Sequence, residues 1–255
     1  MLNKIVADRR QTVTLSKQQR PINALERDIR PRQFLFGKAI AEMGWLLIAE
    51  CKLASPAKGR LCETYSVSEL AKIYSNNGAT ALSVHTSPHF CGELEDIAKV
   101  REVSRLPILR KDFIIDEYQL YEACWAGADA VLLIAAILTD EQLVRFQKIA
   151  YSLGMDCLVE VHDAEELIRV QKTPAQLIGI NNRNLKTFVT DIENTFSLLA
   201  NCDTDRIFIS ESGIATKQDA SRLKRAGIRG VLVGESLVKA VDIAGRTREM
   251  AYPDG

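Results

Sequence analysis

The chain has 255 residues, of which 47% are hydrophobic, and its 33 basic and 33 acidic residues leave no net charge. This balance lacks the basic footprint of a nucleic-acid-binding protein, and no apolar run reaches the ~18–20 residues that a membrane-spanning helix needs. The N-terminus mixes acidic and basic side chains and lacks the apolar segment of a signal peptide. We therefore expect a soluble cytoplasmic protein with neither a nucleic-acid nor a membrane partner.

The cysteines and histidines give little sign of a metal site. The six cysteines stand singly, without C-x-x-C or zinc-finger spacing, so free thiols are expected. His85 and His89 are four residues apart, but Pro88 lies between them, so they do not share a helix face. The sequence therefore predicts no metal ligands.

Residues 1–44 precede the first predicted strand and form an N-terminal extension. The pattern predicts a basic helix that Pro21 and Pro31 interrupt, and a second short helix over residues 33–43. This extension is too short to be a domain of its own. We expect it to cover an open end of the fold that follows.

From residue 45 onward, a unit of apolar strand, polar loop, amphipathic helix and short turn repeats eight times. The predicted strands are 45–51, 79–85, 107–111, 129–134, 156–161, 177–181, 206–210 and 230–233. The predicted helices centre on 66–76, 93–103, 117–126, 140–153, 163–171, 192–200, 216–226 and 236–241. Glycines suited to helix ends stand at Gly78, Gly127, Gly154 and Gly227, and N-cap residues at Ser68, Thr139, Asp163 and Thr216.

Eight strand–helix units favour an α/β fold of the (β/α)8 TIM-barrel type with an N-terminal helical extension. The strands are continuous Val/Ile/Leu runs, as buried parallel strands are. We expect one domain over residues 1–255, with the extension at 1–44 and the barrel at 45–255. A doubly wound open sheet is the alternative, but no G-x-G-x-x-G opens the first helix.

Polar groups gather at the carboxyl ends of the predicted strands, where barrels place their chemistry. Because side chains alternate along a strand, Glu50 and Lys52 leave one face of the first strand and Cys51 leaves the other. Any one of these groups could belong to a structural ion pair, but burying so many charges at one end points to a site. Similar groups end five further strands, at 109–113, 159–162, 179–185, 210–213 and 233–236, whereas the fourth strand ends apolar.

The last two strand ends have the composition of a phosphate-binding site. Ser212-Gly213 and Gly234-Glu235-Ser236 leave backbone N–H groups free, and the helix near Ser236 adds its positive end. Lys52 and Arg183 can supply opposing charge. Two ordinary turns are the alternative interpretation.

Several motifs, in one order along almost the whole chain, resemble the indole-3-glycerol-phosphate synthase family. The family is an enzyme family of tryptophan biosynthesis, and its N-terminal segment is similar to residues 2–10 here. The motifs are Ala49-Glu50-x-Lys52 with Ser55-Pro56, Leu109-Arg110-Lys111-Asp112-Phe113, Glu160-Val161-His162, Ile180-Asn181-Asn182-Arg183-Asn184-Leu185 and Ser210-Glu211-Ser212-Gly213.

The resemblance implies a carboxy-lyase without metal or organic cofactor. Its substrate would be 1-(2-carboxyphenylamino)-1-deoxyribulose 5-phosphate, a small phosphorylated molecule, which is cyclised, decarboxylated and dehydrated to indole-3-glycerol phosphate. A monomer or weak homodimer is expected.

The resemblance also implies roles for residues at the strand ends. Lys111 is the predicted general acid of ring closure, and Glu160 with Lys52 serves the loss of the hydroxyl. Glu50 orients Lys52 and stabilises a cationic intermediate together with Glu211.

The remaining predicted residues bind the substrate. Asn181 holds its hydroxyls and Arg183 faces its phosphate or carboxylate. The apolar slot for the aromatic ring is predicted from Phe90, Phe113 and Leu133, and the predicted binding set also includes Ser55, Ser212 and the phosphate residues Gly213, Gly234, Glu235 and Ser236. We expect the group around Lys111 and Glu160 to titrate as a coupled set.

The sequence departs from the family pattern in three places. Leu53 and Ala57 replace a basic residue and a serine, and the loop His85–Gly92 is shorter by one residue, without the family's acid and with one aromatic missing. These departures suggest an alternative, a paralogue that acts on a modified ring in a specialised pathway.

Other activities explain the residues less well. Phosphoribosylanthranilate isomerase and the tryptophan synthase alpha subunit need a different acid–base set and leave Lys52 and Lys111 without a role. A non-catalytic binding barrel is a further alternative, but such a protein is expected to have lost charges that this chain keeps at its strand ends.

Overall fold

The computed structural model describes residues 2–56, 58–185, 187, 189–200, 202 and 205–254. Within these residues, eight parallel strands close into a barrel and two short strands form a hairpin beside it. In chain order the strands are β1 (Leu46–Cys51), β2 (Ala54–Ser55), β3 (Gly59–Arg60), β4 (Ala81–His85), β5 (Ile108–Lys111), β6 (Ala130–Ile134), β7 (Asp156–Val161), β8 (Leu177–Asn181), β9 (Ile207–Glu211) and β10 (Gly230–Val233).

Helices precede the barrel and follow each of its strands. They are α1 (Leu2–Gln19), α2 (Ile22–Asp28), α3 (Leu35–Met43), α4 (Val67–Asn76), α5 (Asp96–Val103), α6 (Tyr118–Ala126), α7 (Asp140–Ser152), α8 (Ala164–Gln171), α9 (Glu193–Leu199), α10 (Lys217–Arg225), α11 (Glu235–Val238) and α12 (Ile243–Ala251). In the described part of the chain, no helix combines the length and the apolar character needed to span a membrane.

Barrel closure depends on the pairing of the first and last parallel strands. β10 pairs with β1 in a register that places Leu46 opposite Gly230 and Ala49 opposite Val233. Every other parallel strand pairs with its neighbour in chain order. The predicted (β/α)8 barrel is therefore confirmed, and the open sheet is rejected.

Alternation along the strands separates two apolar layers. Leu46 and Ile48 of β1 point into the barrel interior, where they pack with Leu109, Leu158 and Ile209. Intervening residues such as Leu47 and Ala49 point outward to the helices. Because both faces are covered, each strand is apolar almost throughout. The charged residues Glu50, Lys111, Glu160 and Glu211 enter the interior near the carboxyl ends of their strands.

The N-terminal extension has three helices rather than the two predicted, and it reaches both ends of the barrel. At the carboxyl end, Leu2 and Ile5 of α1 contribute to the wall of the interior cavity. At the amino end, Phe36 and Ile40 of α3 pack with the interior layer, and the Gly37 N–H donates to Asp156 at the start of β7. The extension therefore covers the fold as expected, but at two ends.

Most predicted helix boundaries are confirmed. The structure corrects one N-cap and the last helix, and it adds a short hairpin. Thr139, Asp163 and Thr216 are N-caps as predicted, but Ser68 lies inside α4 and Ser66 is the cap, paired with Glu69 in a capping box. Two helices, α11 and α12, follow the last strand instead of one helix over 236–241. The β2–β3 hairpin was not predicted, because two-residue strands carry no periodicity.

Candidate active site

A cavity of about 440 Å³ opens at the carboxyl ends of the barrel strands. This volume is in the range of sites for small organic ligands. Apart from Leu133, it is lined by the predicted site residues Glu50, Lys52, Ser55, Phe90, Lys111, Phe113, Glu160, Asn181, Arg183, Glu211, Ser212, Gly213, Gly234, Glu235 and Ser236. The chain thus brings together, in one cavity, residues that are spread over almost 190 positions in sequence.

At the cavity floor, one lysine lies between two glutamates. The ammonium Nζ of Lys111 on β5 donates to Glu160 Oε2 of β7 at 3.2 Å and to Glu211 Oε2 of β9 at 2.6 Å. The two carboxylates are almost fully buried, whereas the Lys111 side chain is 13% exposed toward the cavity. Three alternate strands thus present one base and two acids to the same space.

The charges of this triad shift the pKa values of its members. Burial opposes charge on Lys111, but Glu211 and Glu160 outweigh it and raise the pKa of the ammonium. Burial also opposes charge on Glu160, but Lys111 and His162 lower its pKa below the usual value. Burial raises the pKa of Glu211 to about 7, and its neighbour Glu160 adds to that rise. Lys111 therefore keeps Glu160 ionised, whereas Glu211 titrates close to neutral pH.

A second group of charges lies at the end of β1. Glu50 Oε2 is 3.5 Å from Lys52 Nζ, and Glu50 Oε1 is 2.6 Å from His85 Nε2. Burial would raise the pKa of Glu50, but the charge of Lys52 and the electrostatic and hydrogen-bond contact with His85 lower it well below its usual range. Glu50 is therefore a buried carboxylate held in its ionised form.

Two glycines make room for the buried carboxylates. A Cβ at Gly234 would lie 1.9 Å from Glu50 Oε2, and a Cβ at Gly179 would lie 2.0 Å from Glu211 Oε1. Real Cβ atoms do not approach oxygen this closely. The glycines of the strand-end motifs thus admit the acids as well as exposing backbone N–H groups.

His162 lies next to Glu160 and contacts its carboxylate, a role that the sequence analysis did not assign. Its Nδ1 is 3.0 Å from Glu166 Oε2 and its Nε2 is 3.2 Å from Glu160 Oε1. Burial lowers the affinity of the ring for a proton, but the two carboxylates raise the pKa of His162 to about 10. His162 lies two residues before α8, and Glu166 lies in its first turn. Their separation by four residues was the sequence signal for this contact.

The apolar side of the cavity has an aromatic wall. Phe90 and Phe113 face each other with ring centroids 6.3 Å apart. Leu133 does not belong to this wall, because it points outward into the layer between barrel and helices. Its neighbours Leu132 and Ile134 have the opposite phase of the β6 alternation and line the cavity. The prediction of Leu133 is therefore corrected to these two residues.

The opposite side of the cavity is lined by the turns that follow the last two strands and by cations. Ser212 and Gly213 both have positive φ, of 66° and 78°. Glu235 lines the cavity, but its carboxylate accepts from Lys58 at 2.6 Å and from Lys239 at 2.8 Å. These two lysines also line the cavity and were missed in the sequence.

Four further predicted residues lie at this rim. Asn181 Oδ1 accepts from the backbone N–H of Arg183, whose Nε is buried without a hydrogen-bond partner. Ser55 Oγ accepts from the Lys58 N–H. Ser236 Oγ donates to the Ile214 carbonyl, so its hydroxyl is already occupied. Of this group, Arg183 retains an unused buried donor.

The described residues include no group of three or more His, Cys, Asp or Glu side chains arranged to hold a metal ion. Glu50, Glu160 and Glu211 of the cavity instead face lysine and histidine side chains.

The cavity lies at the open end of a (β/α)8 barrel and combines acids, bases and cations. It therefore defines a class of enzyme, the barrel enzymes that perform acid–base chemistry on a small anionic substrate. The sequence comparison then gives the family. The family model for indole-3-glycerol phosphate synthase matches residues 2–250, and the chain belongs to that family. Its function is accordingly that of a carboxy-lyase in tryptophan biosynthesis.

Curated relatives cover nearly the whole chain. The indole-3-glycerol phosphate synthase of Endomicrobium trichonymphae is 42% identical and covers 98% of this chain and 99% of its own length. That of Desulforamulus reducens is 50% identical over 86% of this chain and 84% of its own length. The resemblance drawn from the strand-end motifs is confirmed.

Solved structures with low identity support the fold alone. The 3-hexulose-6-phosphate synthase from Salmonella typhimurium has a TM-score of 0.66 at 15% identity, covering 82% of this chain and 97% of its own. A thiamine phosphate pyrophosphorylase from Pyrococcus furiosus has a TM-score of 0.62 at 16% identity, covering 84% and 96%.

Proposed function

We propose that the cavity performs the family reaction on 1-(2-carboxyphenylamino)-1-deoxyribulose 5-phosphate, with Lys111 as the general acid of ring closure. The observation that carries this proposal is the position of the Lys111 ammonium at the cavity floor, 2.6 Å from Glu211 and 3.2 Å from Glu160. A cation with two acidic partners is held charged, so it has a proton to donate.

Two ends of the cavity match two ends of the substrate. The phosphate binds at the backbone N–H groups of Gly213 and Gly234, with positive charge from Lys52 and Arg183. Lys58 and Lys239 add charge at the same rim. The aromatic ring lies against Phe90 and Phe113, and Asn181 contacts the hydroxyls between the two ends.

Ring closure forms a bond from the aromatic carbon that bears the carboxylate to the ketone carbon. The ketone oxygen needs a proton as this bond forms, and Lys111 supplies it. The ring then carries positive charge, delocalised onto its nitrogen. Glu50 and Glu211 stabilise this cation, because fixed carboxylates in a dry site act strongly on developing charge.

Two further bond cleavages complete the indole. The bond to CO2 breaks, its electron pair returns to the ring, and aromaticity is restored. The new hydroxyl then leaves as water with an added proton, while a proton leaves the carbon beside the nitrogen. Glu160 and Lys52 are the groups proposed for these transfers, because both line the cavity, Glu160 from β7 and Lys52 from the end of β1 on the other side of the barrel.

The test is a fluorescence assay of indole formation with wild type, Lys111→Ala and Lys148→Ala. Lys148 is exposed on α7, far from the cavity walls, and serves as the matched control. We expect Lys111→Ala to lower kcat by about 10²- to 10⁴-fold, the usual contribution of a general acid, and Lys148→Ala to leave it unchanged. A folded Lys111→Ala enzyme with kcat within threefold of wild type would reject the assigned role.

We also propose that residues 1–255 act as one domain, with the 1–44 extension as part of the 45–255 barrel, in a cytoplasmic monomer or weak homodimer without nucleic-acid partners. Support comes from α1, whose Ile5 lines the cavity of the same chain, and from the zero net charge. Sedimentation at two protein concentrations measures the oligomeric state. A stable higher oligomer would contradict it.

A modified ring substrate is the second candidate, because the His85–Gly92 loop supplies one face of the aromatic wall. His85 itself lines the cavity beside Phe90. Turnover of ring-substituted substrates distinguishes the two candidates. A preference for a substituted ring supports the second, and a preference for the plain ring removes it.

A further inference from the structure

His85 is a polar residue of the cavity that the reaction steps above do not use. It is the last residue of β4, it is only 5% exposed, and its side chain faces the cavity. The ring makes two different contacts, one with a charged group and one with an aromatic wall. Each contact involves a residue to which the proposed reaction gives a role.

The first contact is with Glu50. His85 Nε2 lies 2.6 Å from Glu50 Oε1, while the other carboxylate oxygen of Glu50 faces Lys52 Nζ at 3.5 Å. An ionised carboxylate only accepts hydrogen bonds, so Nε2 must carry the hydrogen. Because Glu50 is 4% exposed, this donor takes the place of solvent and fixes the direction in which the carboxylate faces Lys52.

The second contact is with Phe90. The two rings are stacked with centroids 4.3 Å apart and planes within 6° of parallel. Phe90 in turn faces Phe113 and lies under Lys52 Nζ, which is 5.6 Å from the Phe90 ring centroid. His85 therefore supports the aromatic wall through its stacking on Phe90.

The loop after β4 is fitted closely to His85. A Cβ at Gly92 would lie 2.2 Å from the His85 carbonyl oxygen, so only glycine allows the loop to return this near. Cys91 has a φ of 56°, in the left-handed region. The loop and the His85 ring thus form one packed unit that carries Phe90.

We propose that His85 is a positioning residue that fixes Glu50 through a hydrogen bond and Phe90 through ring stacking. It links the acid–base group of β1 to the ring-binding wall. This inference rests on the proposed function, because Glu50 and Phe90 take their roles from it. It makes the polar contact and the apolar contact separable by mutation.

Two substitutions separate the contacts. His85→Phe keeps a flat ring on Phe90 and removes the donor to Glu50, so kcat should fall by about 10- to 100-fold with KM within threefold. The pKa of Glu50 rises without its donor, and the acidic limb of the kcat profile therefore moves to higher pH. His85→Gln keeps an N–H near the same position and removes the stack, so KM should rise by about 5- to 20-fold with kcat nearly unchanged.

Two controls distinguish positioning from general damage. His89→Gln changes a partly exposed histidine of the same loop and should alter neither constant by more than about twofold. On a Glu50→Gln background, His85→Phe should have a much smaller effect on kcat than in the wild type, because the ionised acceptor is gone. Equal losses in His85→Phe and His85→Gln, or a full loss on the Glu50→Gln background, would overturn the proposal.

An NMR measurement keeps this inference separate from the reaction itself. Imidazole nitrogen shifts of His85 should report a neutral ring with hydrogen on Nε2 in the wild type, and a changed signal in Glu50→Gln. If the wild type does not turn over the substrate but the shifts behave in this way, the proposed function fails and the positioning contact stands. A His85 signal that ignores Glu50→Gln contradicts the contact directly.

Discussion

Arg110 and Lys111 are consecutive residues of β5, and they face opposite sides of the barrel wall. Arg110 points outward and is fully buried, whereas Lys111 points inward to the cavity. Both are cations among carboxylates. The contacts that each one makes show why Arg110 contributes to structure and why Lys111 is proposed to contribute to chemistry.

The donors of Arg110 are matched by fixed protein acceptors. Its guanidinium donates to Thr86 Oγ1 at 3.0 Å, to the Gln119 carbonyl at 2.9 Å, to Asp112 at 3.0 Å and to Glu122 at 2.7 Å. The Asp112 carboxylate also accepts from Arg9 of α1. This network ties the extension, β5 and α6 together and leaves no room for a ligand.

The surroundings of Lys111 leave charge and bonding capacity unsatisfied. Two carboxylates compete for one ammonium, and Glu211 Oε1 is buried without a hydrogen-bond partner. The Lys111 side chain remains open to the cavity. Burial of charge alone therefore does not mark an active site, whereas a buried charge with incomplete partners beside a cavity does.

The largest effect on stability is expected from Arg110→Met. This change leaves Glu122 buried without its cation and Asp112 with Arg9 alone, and the free energy of unfolding should fall by about 3–5 kcal/mol. Urea unfolding measures this loss, and kcat of the fraction that stays folded should remain near the wild-type value. A tenfold loss of kcat in well-folded Arg110→Met would show that Arg110 affects the reaction as well as stability, which would contradict the separation of roles between the two sides of β5.

Glu211→Gln tests the titration of the cavity. Because the folded pKa of Glu211 is about 7 and its ordinary value is 4.5, the folded state holds a proton that the unfolded state has lost. Wild-type stability should therefore decline as pH rises from about 4.5 to 7. Gln does not titrate, so the variant should gain about 1–3 kcal/mol relative to wild type between pH 5 and pH 8.

Urea unfolding at pH 5 and pH 8 measures the gain from Glu211→Gln. The matched control is Glu165→Gln on the exposed face of α8, for which the difference from wild type should be the same at both pH values. A difference for Glu211→Gln that does not change with pH would mean that Glu211 titrates as an ordinary carboxyl group.

The smallest effect is expected from Arg222→Met. Arg222 makes two hydrogen bonds to Glu193, at 2.5 Å and 3.0 Å, but both side chains are about half exposed. Solvent screens such pairs, so the melting temperature should shift by at most about 2 °C. If Arg222→Met lowered the free energy of unfolding as much as Arg110→Met, the number of hydrogen bonds, rather than burial, would set the contribution of an arginine in this fold.

The sequence predicted the barrel because strands covered on both faces are apolar almost throughout, and the loops between them begin with polar groups. It also predicted that Lys111 and Glu160 lie close together and that Glu211 belongs to the same site, because parallel strands bring their carboxyl ends together. The direct contact between Lys111 and Glu211 was not predicted. The phase of β6 was not predictable in this way. Every residue of that strand is apolar, so no polar side chain distinguishes Leu132 from Leu133.

Contacts between residues far apart in the sequence were the second feature that the sequence could not predict. His85 meets Glu50 across 35 positions, and Arg9 meets Asp112 across 103. No local pattern reports such a pairing. The Ser66 cap, in contrast, had a local signal in Glu69 three residues later, so the prediction of Ser68 was an avoidable error.

The docking of α1 has a consequence for the order in which the molecule is made. Its partners are Asp112, Asp116 and Tyr118, which lie about 100 positions later in the chain. At ~5–20 residues per second, the first helix waits on the order of 5 to 20 seconds for its binding surface. β1 waits longer, because its partner β10 begins at Gly230. The catalytic cavity is therefore among the last features to form, and a chain that stops early exposes the unpaired apolar edge of β1 to aggregation.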